Sequence, residues 1–434
     1  MSDRKFALMV VAIAAVAVSA RLAVIAPRIG REAEDPDHYL TLAKSIGEGR
    51  GFTFSTRPTA YRPPLYPLLL APLVHSTEPL RVVRQVWGPL GIYPFTPAIA
   101  CLHLMLGGIT VLLTMLAARR WGLGPIAVAG AGLIVAIDPL LVIQSRSVMT
   151  ETLASALLAW AIAAAARSGL RGAIETGLAF GLAALCRPSL LACAGLTVTL
   201  VIMTAPGGWR ARLRHAAVIA ATVAATVAPW AVRNRLALGE FVWTTTHGGY
   251  TLALANNPDY YRTVLDGPPG AVWDEAGQRT WAEGIAARTA GLSEPEADRA
   301  LASEGWRMLW NSPRTFLRAS LARIGRIWAL APSPAAYGRA SRWASTAWSS
   351  PLFAVAIFGL SRRDTWRWPR AIVPASIIGL SLVHFIYWTD MRMRTPLSTS
   401  VALAAISGVL GWKKFREKNP ESPPSRVVEN GGIG

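Results

Sequence analysis

Three acids and a histidine crowd into "EDPDHY", residues 34–39, just after the first long apolar run. A carboxylate placed there could act as a general base toward an incoming hydroxyl. Asp35 and Asp37 also match the short DxD pattern that can hold a divalent cation, a weak motif at three residues. A plainer role competes. Asp is a favoured N-cap and Pro a favoured first helical residue, so Asp35-Pro36 predicts a helix start. Tyr39, Leu42, Ala43 and Ile46 then recur at helical spacing on one apolar face, and Gly47, Gly49 and Gly51 end it. Helix cap and catalytic base are both open readings of Asp35.

The next chemical feature is Arg62 in "TAYRPPLYPLLLAPLV", residues 59–74. Two prolines follow it, and proline restricts both itself and the residue before it. A guanidinium on so stiff a turn suits a phosphate, which it can grip with two parallel hydrogen bonds. A topology or headgroup anchor is the competing role. The apolar stretch after Arg62 is too short to span a bilayer.

These residues need a scaffold, and composition says which. Of 434 residues 52% are hydrophobic and only 16% charged, against roughly 25% charged in soluble domains. That deficit is what lipid demands, because charge in hydrocarbon is costly. The net charge of +19 sits in short clusters between apolar runs, so no nucleic-acid partner is expected and the lipid bilayer is. Cys101, Cys186 and Cys193 all lie in apolar runs, with neither a disulfide framework nor a CxxC metal pattern. The N-terminal run resembles a signal peptide, with "VSA" at 18–20, but its apolar length favours an uncleaved first span.

About ten spans are expected: 6–26, 96–118, 125–143, 152–166, 173–186, 189–205, 216–232, 350–361, 371–388 and 397–412. With the N-terminus inside, Arg119 and Arg120, "RSGLR", "WRARLR", "RRDTWRWPR" and "KKFREK" all fall on the cytoplasmic side, as the positive-inside rule asks. Two segments then face outward: the loop 27–95, and a longer, more polar stretch 233–349. Within the latter, 313–331 carries arginines and apolar residues at helical spacing and reads as an interfacial helix; if it spans instead, the C-terminus moves outside. The expected organisation is an N-terminal transmembrane catalytic module over 1–232, an outer segment over 233–349, C-terminal transmembrane helices over 350–412 and a cytoplasmic tail over 413–434.

Several segments taken together resemble one family. An acid four residues before an aromatic, a Gly-rich turn and "YRPPLYPLLLA" resemble the membrane glycosyltransferases of GT-C fold, in particular the bacterial branch of glycosyltransferase family 39. That branch includes relatives of the dolichyl-phosphate-mannose protein mannosyltransferases and of the aminoarabinose transferases that modify lipid A. "SVMTETLASALL" at 147–158, "GLAALCRPSLL" at 181–191, "APWAVRNRLALGEFVWTTTHGGYTLALANNP" at 228–258 and "MRMRTPLSTSVALAA" at 391–405 continue the likeness. It runs from about residue 20 to 412, each piece loose alone.

The resemblance implies an all-α polytopic fold and transfer of a hexosyl or pentosyl group from a polyprenyl-phosphate sugar to an acceptor hydroxyl, or to an amine-bearing glycan, lipid or protein. The transfer would proceed with inversion, on the periplasmic face of a bacterial inner membrane. It puts Asp35 in the place of the general base, with Asp37 second; Pro36 stands where relatives often have another acid, and Glu34 or Asp37 could substitute. Glu151 matches the acid of the second outer loop, with a helix-start role as its alternative. Arg62 matches the residue that meets the donor phosphate. Tyr39, His38, Arg187, Arg233 and Asn234 are further phosphate or sugar contacts. Asp138, Arg392 and Arg394 are secondary candidates. No cofactor is required. A divalent metal on an acid with His38, His75 and His247 is possible, but their spacing does not demand it, and none is predicted.

The chemistry coheres without the name. An isoprenoid donor needs an apolar entrance, its phosphate a cation at headgroup depth, and the acceptor a base. No P-loop or Rossmann fingerprint is present. A transporter or flippase of lipid-linked sugars is the alternative from another class, and a non-catalytic binder a third. Transporters usually bury ionisable groups at mid-membrane, whereas here only Arg21, Asp138 and Glu175 depart from an outer-end placement of the acids.

Overall fold

The computed structural model describes residues 1–28, 35, 37–74, 95–267, 271, 273, 275–334 and 337–418. Glu34, Pro36 and His75, named above, lie outside them. The chain folds as α1 (Asp3–Ile25), α2 (Tyr39–Gly47), a two-residue hairpin β1 (Thr53–Phe54) and β2 (Arg57–Pro58), and α3 (Leu65–Leu70). Then come α4 (Phe95–Arg120), α5 (Pro125–Ile137), α6 (Pro139–Gln144), α7 (Glu151–Ala165), α8 (Gly169–Cys186), α9 (Leu190–Thr204) and α10 (Trp209–Leu238). The segment that follows holds α11 (Gly248–Ala255), α12 (Glu275–Arg288), α13 (Glu294–Asn311) and α14 (Pro313–Ile327). The bundle is completed by α15 (Arg339–Leu360), α16 (Ile372–Ile386) and α17 (Ser398–Lys418).

Each expected span is a helix, with informative differences at the ends. The span expected over 125–143 breaks at Asp138, whose carboxylate accepts from Leu140 N at 3.0 Å and restarts the chain as α6. Helices α10 and α15 run well beyond the spans expected at 216–232 and 350–361. Hydropathy reports the lipid-buried stretch, and the helix continues past it.

The two ends of the bundle differ in charge. Asp3 pairs with Arg119, Arg120 donates to Ala163 O, and Arg370 donates to Trp121 O, so the N-terminus and the basic turns share one end. Helix α14 stays at the other end. Phe316 packs edge-on against Phe385, Arg323 donates to Phe385 O, and Ile327 O accepts from Arg394. The fifteen residues of this helix thus meet Phe385 and Arg394 from their first turn to their last.

Close packing comes from small residues, as expected where lipid removes the hydrophobic drive between helices. A Cβ on Gly359 of α15 would lie 1.9 Å from Ala404 O of α17. Gly177 and Gly181 of α8 would meet Ile219 O at 2.7 Å and Thr226 Cβ at 2.5 Å on α10. Across the core, Thr114 and Thr399 share a hydrogen bond of 2.8 Å. The short helix α3 is anchored by Tyr66, whose hydroxyl lies 2.8 Å from His103 Nε2, while His103 Nδ1 is 2.7 Å from Ser145 O. A carbonyl only accepts, so Nδ1 carries the proton and Nε2 receives the tyrosine's.

Candidate active site

The site grows from the N-terminus of α2. Helix α2 begins at Tyr39, later than the Asp35-Pro36 start expected from sequence, because His38 adopts a left-handed conformation with φ 61°. Asp35 still serves the helix. Its carboxylate accepts from Leu40 N at 3.0 Å and from Thr41 N and Oγ1, each at 2.8 Å. A carboxylate has about four lone-pair sites, so one remains for a substrate hydroxyl.

Two residues on, Asp37 faces Arg62. Arg62 Nη2 donates to Asp37 Oδ1 at 2.7 Å and its Nε to the Asp37 carbonyl at 2.9 Å. The guanidinium also lies 5.0 Å from the Tyr61 ring and 5.7 Å from Tyr39. The other Asp37 oxygen is 3.9 Å from Arg392 Nη2, and Arg392 Nη1 is 3.7 Å from Glu151 Oε1. Arg187 Nη1 closes on that same Glu151 oxygen at 2.9 Å and reaches Thr150 Oγ1 at 3.2 Å. Arg62, Asp37, Arg392, Glu151 and Arg187 thus form one row of alternating charge.

Local folding explains the row. Glu151 opens α7, where the helix dipole favours an anion, and Arg187 ends α8, where it favours a cation. Glu151 is 1% exposed, and its Oε2 has no partner among the described residues. Buried charge is tolerated when paired, and two arginines pair this one. Arg392 is set by a 3₁₀ turn, Met391–Leu397, whose first donor is capped by Asp390 at 2.9 Å.

The remaining predicted residues are placed differently. Arg233 donates to Thr59 O and Phe52 O, both at 2.7 Å, and Asn234 donates to Val242 O at 2.8 Å. They clamp main chain behind the Arg62 turn. Asp138 accepts from Ser398 Oγ at 2.6 Å, and Arg394 donates to Ile327 O and Ala329 O. Both border a separate small cleft with Trp348 and Phe353. His38 is exposed, edge-on to Phe54. Among the described residues, no three of His, Cys, Asp and Glu gather as a metal group.

Sequence reasoning missed one contributor, Glu294, and named another, His247, only as a possible metal ligand. Glu294, from the start of α13, accepts from Thr59 Oγ1 at 2.6 Å, from Ala60 N at 2.8 Å and from Thr246 Oγ1. It ties α13 to the residues just before Arg62. His247 packs edge-on to Tyr61 at 4.4 Å and stacks on Tyr250 at 5.1 Å. Burial, with Arg62 nearby, holds the His247 imidazole well below its ordinary pKa, and burial lifts the Tyr61 phenol to about 12. Both groups stay neutral beside the arginine.

The helical architecture is the GT-C fold. The chain is similar to the oligosaccharyltransferase of Archaeoglobus fulgidus tethered with an acceptor peptide, with a TM-score of 0.54 at 14% identity over 96% of this chain. It is similar also to the archaeal oligosaccharyltransferase AglB from the same organism, in complex with an inhibitory peptide and a dolichol-phosphate, with a TM-score of 0.52 at 13% identity over 95% of this chain. The chain spans about half the length of these two, 51% of each. ArnT from Cupriavidus metallidurans bound to undecaprenyl phosphate is matched over 98% of this chain and 82% of its own, at 15% identity and a TM-score of 0.42. No protein family and no curated protein matches the sequence.

Proposed function

We propose that this protein is an integral-membrane glycosyltransferase that moves a sugar from a polyprenyl-phosphate donor to an acceptor on the outer face of the membrane. The observation that carries the reading is the charge balance of the row. Three arginines, Arg62, Arg392 and Arg187, face two carboxylates, Asp37 and Glu151. Within the row the arginines outnumber the carboxylates by one, with Asp390 beside Arg392 as a further acid, and the arginine at each end of the row would draw a lipid phosphate.

The reaction balances as follows. The acceptor oxygen attacks the anomeric carbon, and the bond from that carbon to the phosphate oxygen breaks. The acceptor proton passes to Asp35, and the polyprenyl phosphate leaves with one more negative charge. Arg62, with Arg392 beside it, meets that charge as it develops, the arrangement that most effectively lowers such a barrier. Asp37 holds the Arg62 fork in place. The free Oε2 of Glu151 accepts a hydroxyl of the sugar or the acceptor. The outer segment, tied to the Arg62 turn by Glu294, selects the acceptor. A bacterial inner membrane with the row on its periplasmic side fits the basic turns gathered at the opposite end.

The test is transfer of labelled sugar from polyprenyl-phosphate sugar in membranes carrying the protein. Transfer that is lost in Arg62→Ala and Asp35→Asn supports the reading. Undiminished transfer in both sinks it.

A further inference from the structure

The opposite end of the bundle holds a cavity that the transfer reaction does not use. Its volume is about 540 Å³, within the roughly 300–1,000 Å³ range of small-molecule sites. It lies between the ends of α7 and α8, the turn joining α9 to α10, and the turn before α16. Its walls are of two kinds. Ala173, Ala205 and Val218 make an apolar side facing the bundle. Arg167, Arg214 and His215 make a polar side.

These polar groups are unequally engaged. Arg167 is held by Glu175 at 2.6 Å. Arg214 has no ion-pair partner among the described residues. His215 packs edge-on to Trp368 at 5.5 Å, and its Nε2 is shielded from solvent without a hydrogen-bond partner. The first turn of α8 also borders the cavity, and the Ser168 side chain makes no capping hydrogen bond to it. Its leading N–H groups therefore lack a side-chain acceptor. Arg171, Arg210 and Arg212 stand on the same turns, and Glu175 is the acid facing them. Trp368 lines the cavity, and Trp209, 66% exposed, stands at the start of α10.

We propose that this cavity binds one anionic phospholipid of the adjacent leaflet. Its phosphate sits between Arg214, His215 and the α8 N-terminus, and an acyl chain lies along Ala173, Ala205 and Val218. Arg214, His215 and the first turn of α8 line this one cavity, and a cation without an ion-pair partner beside open helix donors is the chemistry of a phosphate site. The apolar wall beside them selects the lipid over free phosphate.

The experiment uses the full chain in phosphatidylcholine nanodiscs, with phosphatidylglycerol added and retained lipid counted by native mass spectrometry. Wild type should retain one phosphatidylglycerol at least tenfold better than phosphatidylcholine. The double variant Arg214→Gln/His215→Leu should lose about that factor while unfolding at the wild-type temperature in phosphatidylcholine alone. Arg214 is exposed, so the single variant Arg214→Gln serves if the double variant does not fold, and it should lose severalfold. Equal retention of the two lipids, or unchanged retention in the variants, overturns the proposal. So does equal protection from thermal unfolding by inorganic phosphate alone, which would make this a free-phosphate site.

Discussion

Arg62 grips Asp37 at two points, its Nη2 on the carboxylate at 2.7 Å and its Nε on the main-chain carbonyl at 2.9 Å. The arginine that would meet a donor phosphate is therefore pre-aimed before any donor arrives, and the order of effects follows. Arg62→Ala should lower transfer about a hundredfold, the usual loss for one donor aimed at developing charge. Asp37→Asn keeps the carbonyl contact and removes one anion, so its effect should be smaller and fall mainly on KM. Steady-state kinetics with the lipid-linked donor separate the two.

Glu151 and Arg187 make a different kind of pair. Glu151 is buried, its side chain 1% exposed, and Arg187 is nearly so, its side chain 12% exposed. Removing one partner of a buried pair typically costs 3–5 kcal/mol, because a charge is stranded. Arg187→Ala should destabilise less than that upper figure, since Arg392 remains 3.7 Å away. Glu151→Gln leaves Arg187 and Arg392 without this anion, so it should unfold earlier than wild type and also transfer poorly. Thermal unfolding read beside transfer checks both, and a fully active Glu151→Gln would remove Glu151 from the mechanism.

Glu294 acts at a distance. Its carboxylate holds Thr59, Ala60 and Thr246 together, three residues from two segments. Glu294→Gln replaces an ionised acceptor by a neutral amide and should cost about 1–3 kcal/mol. Transfer should fall through a misplaced Arg62 turn. Limited proteolysis at residues 55–62 should then speed up relative to wild type.

His247 supplies a pH signature. Its folded pKa lies well below the ordinary value near 6.5, so the unfolded chain binds its proton first as pH falls. Stability contributed by the neutral imidazole is full above about pH 6.5 and declines below it. His247→Phe should flatten the stability curve between about pH 6.5 and 5. Denaturant unfolding across that window is the measurement, and a wild-type curve that rises as pH falls would contradict the assignment.

Much of the scaffold was legible because lipid writes long apolar runs into a chain. The helix bundle follows from hydropathy, and the gathering of basic turns at one end from where Arg119, Arg120 and Arg370 fall. The site was legible in its residue types and less so in their partners. Asp35 and Asp37 are two residues apart and chemically alike, and only the left-handed turn at His38 sends one to the α2 N-terminus and the other to Arg62. Arg392 and Arg394 differ as invisibly, since a 3₁₀ turn aims one at Asp37 and Glu151 and the other at main-chain carbonyls. Glu294 reads in sequence as an ordinary first-turn acid beside the Ser293–Glu296 capping box. Its partners Thr59 and Ala60 are more than 200 residues away, and no local pattern reports them.

The central claim is sugar transfer governed by the row of charge at the outer rim. Its most direct test is purified protein in proteoliposomes with labelled polyprenyl-phosphate sugar and a membrane extract as acceptor source. The account predicts that label moves to acceptor with wild type, falls by at least about a hundredfold with Asp35→Asn, and falls comparably with Arg62→Ala. Label that crosses the bilayer still joined to its lipid, with no transfer by wild type, would contradict it.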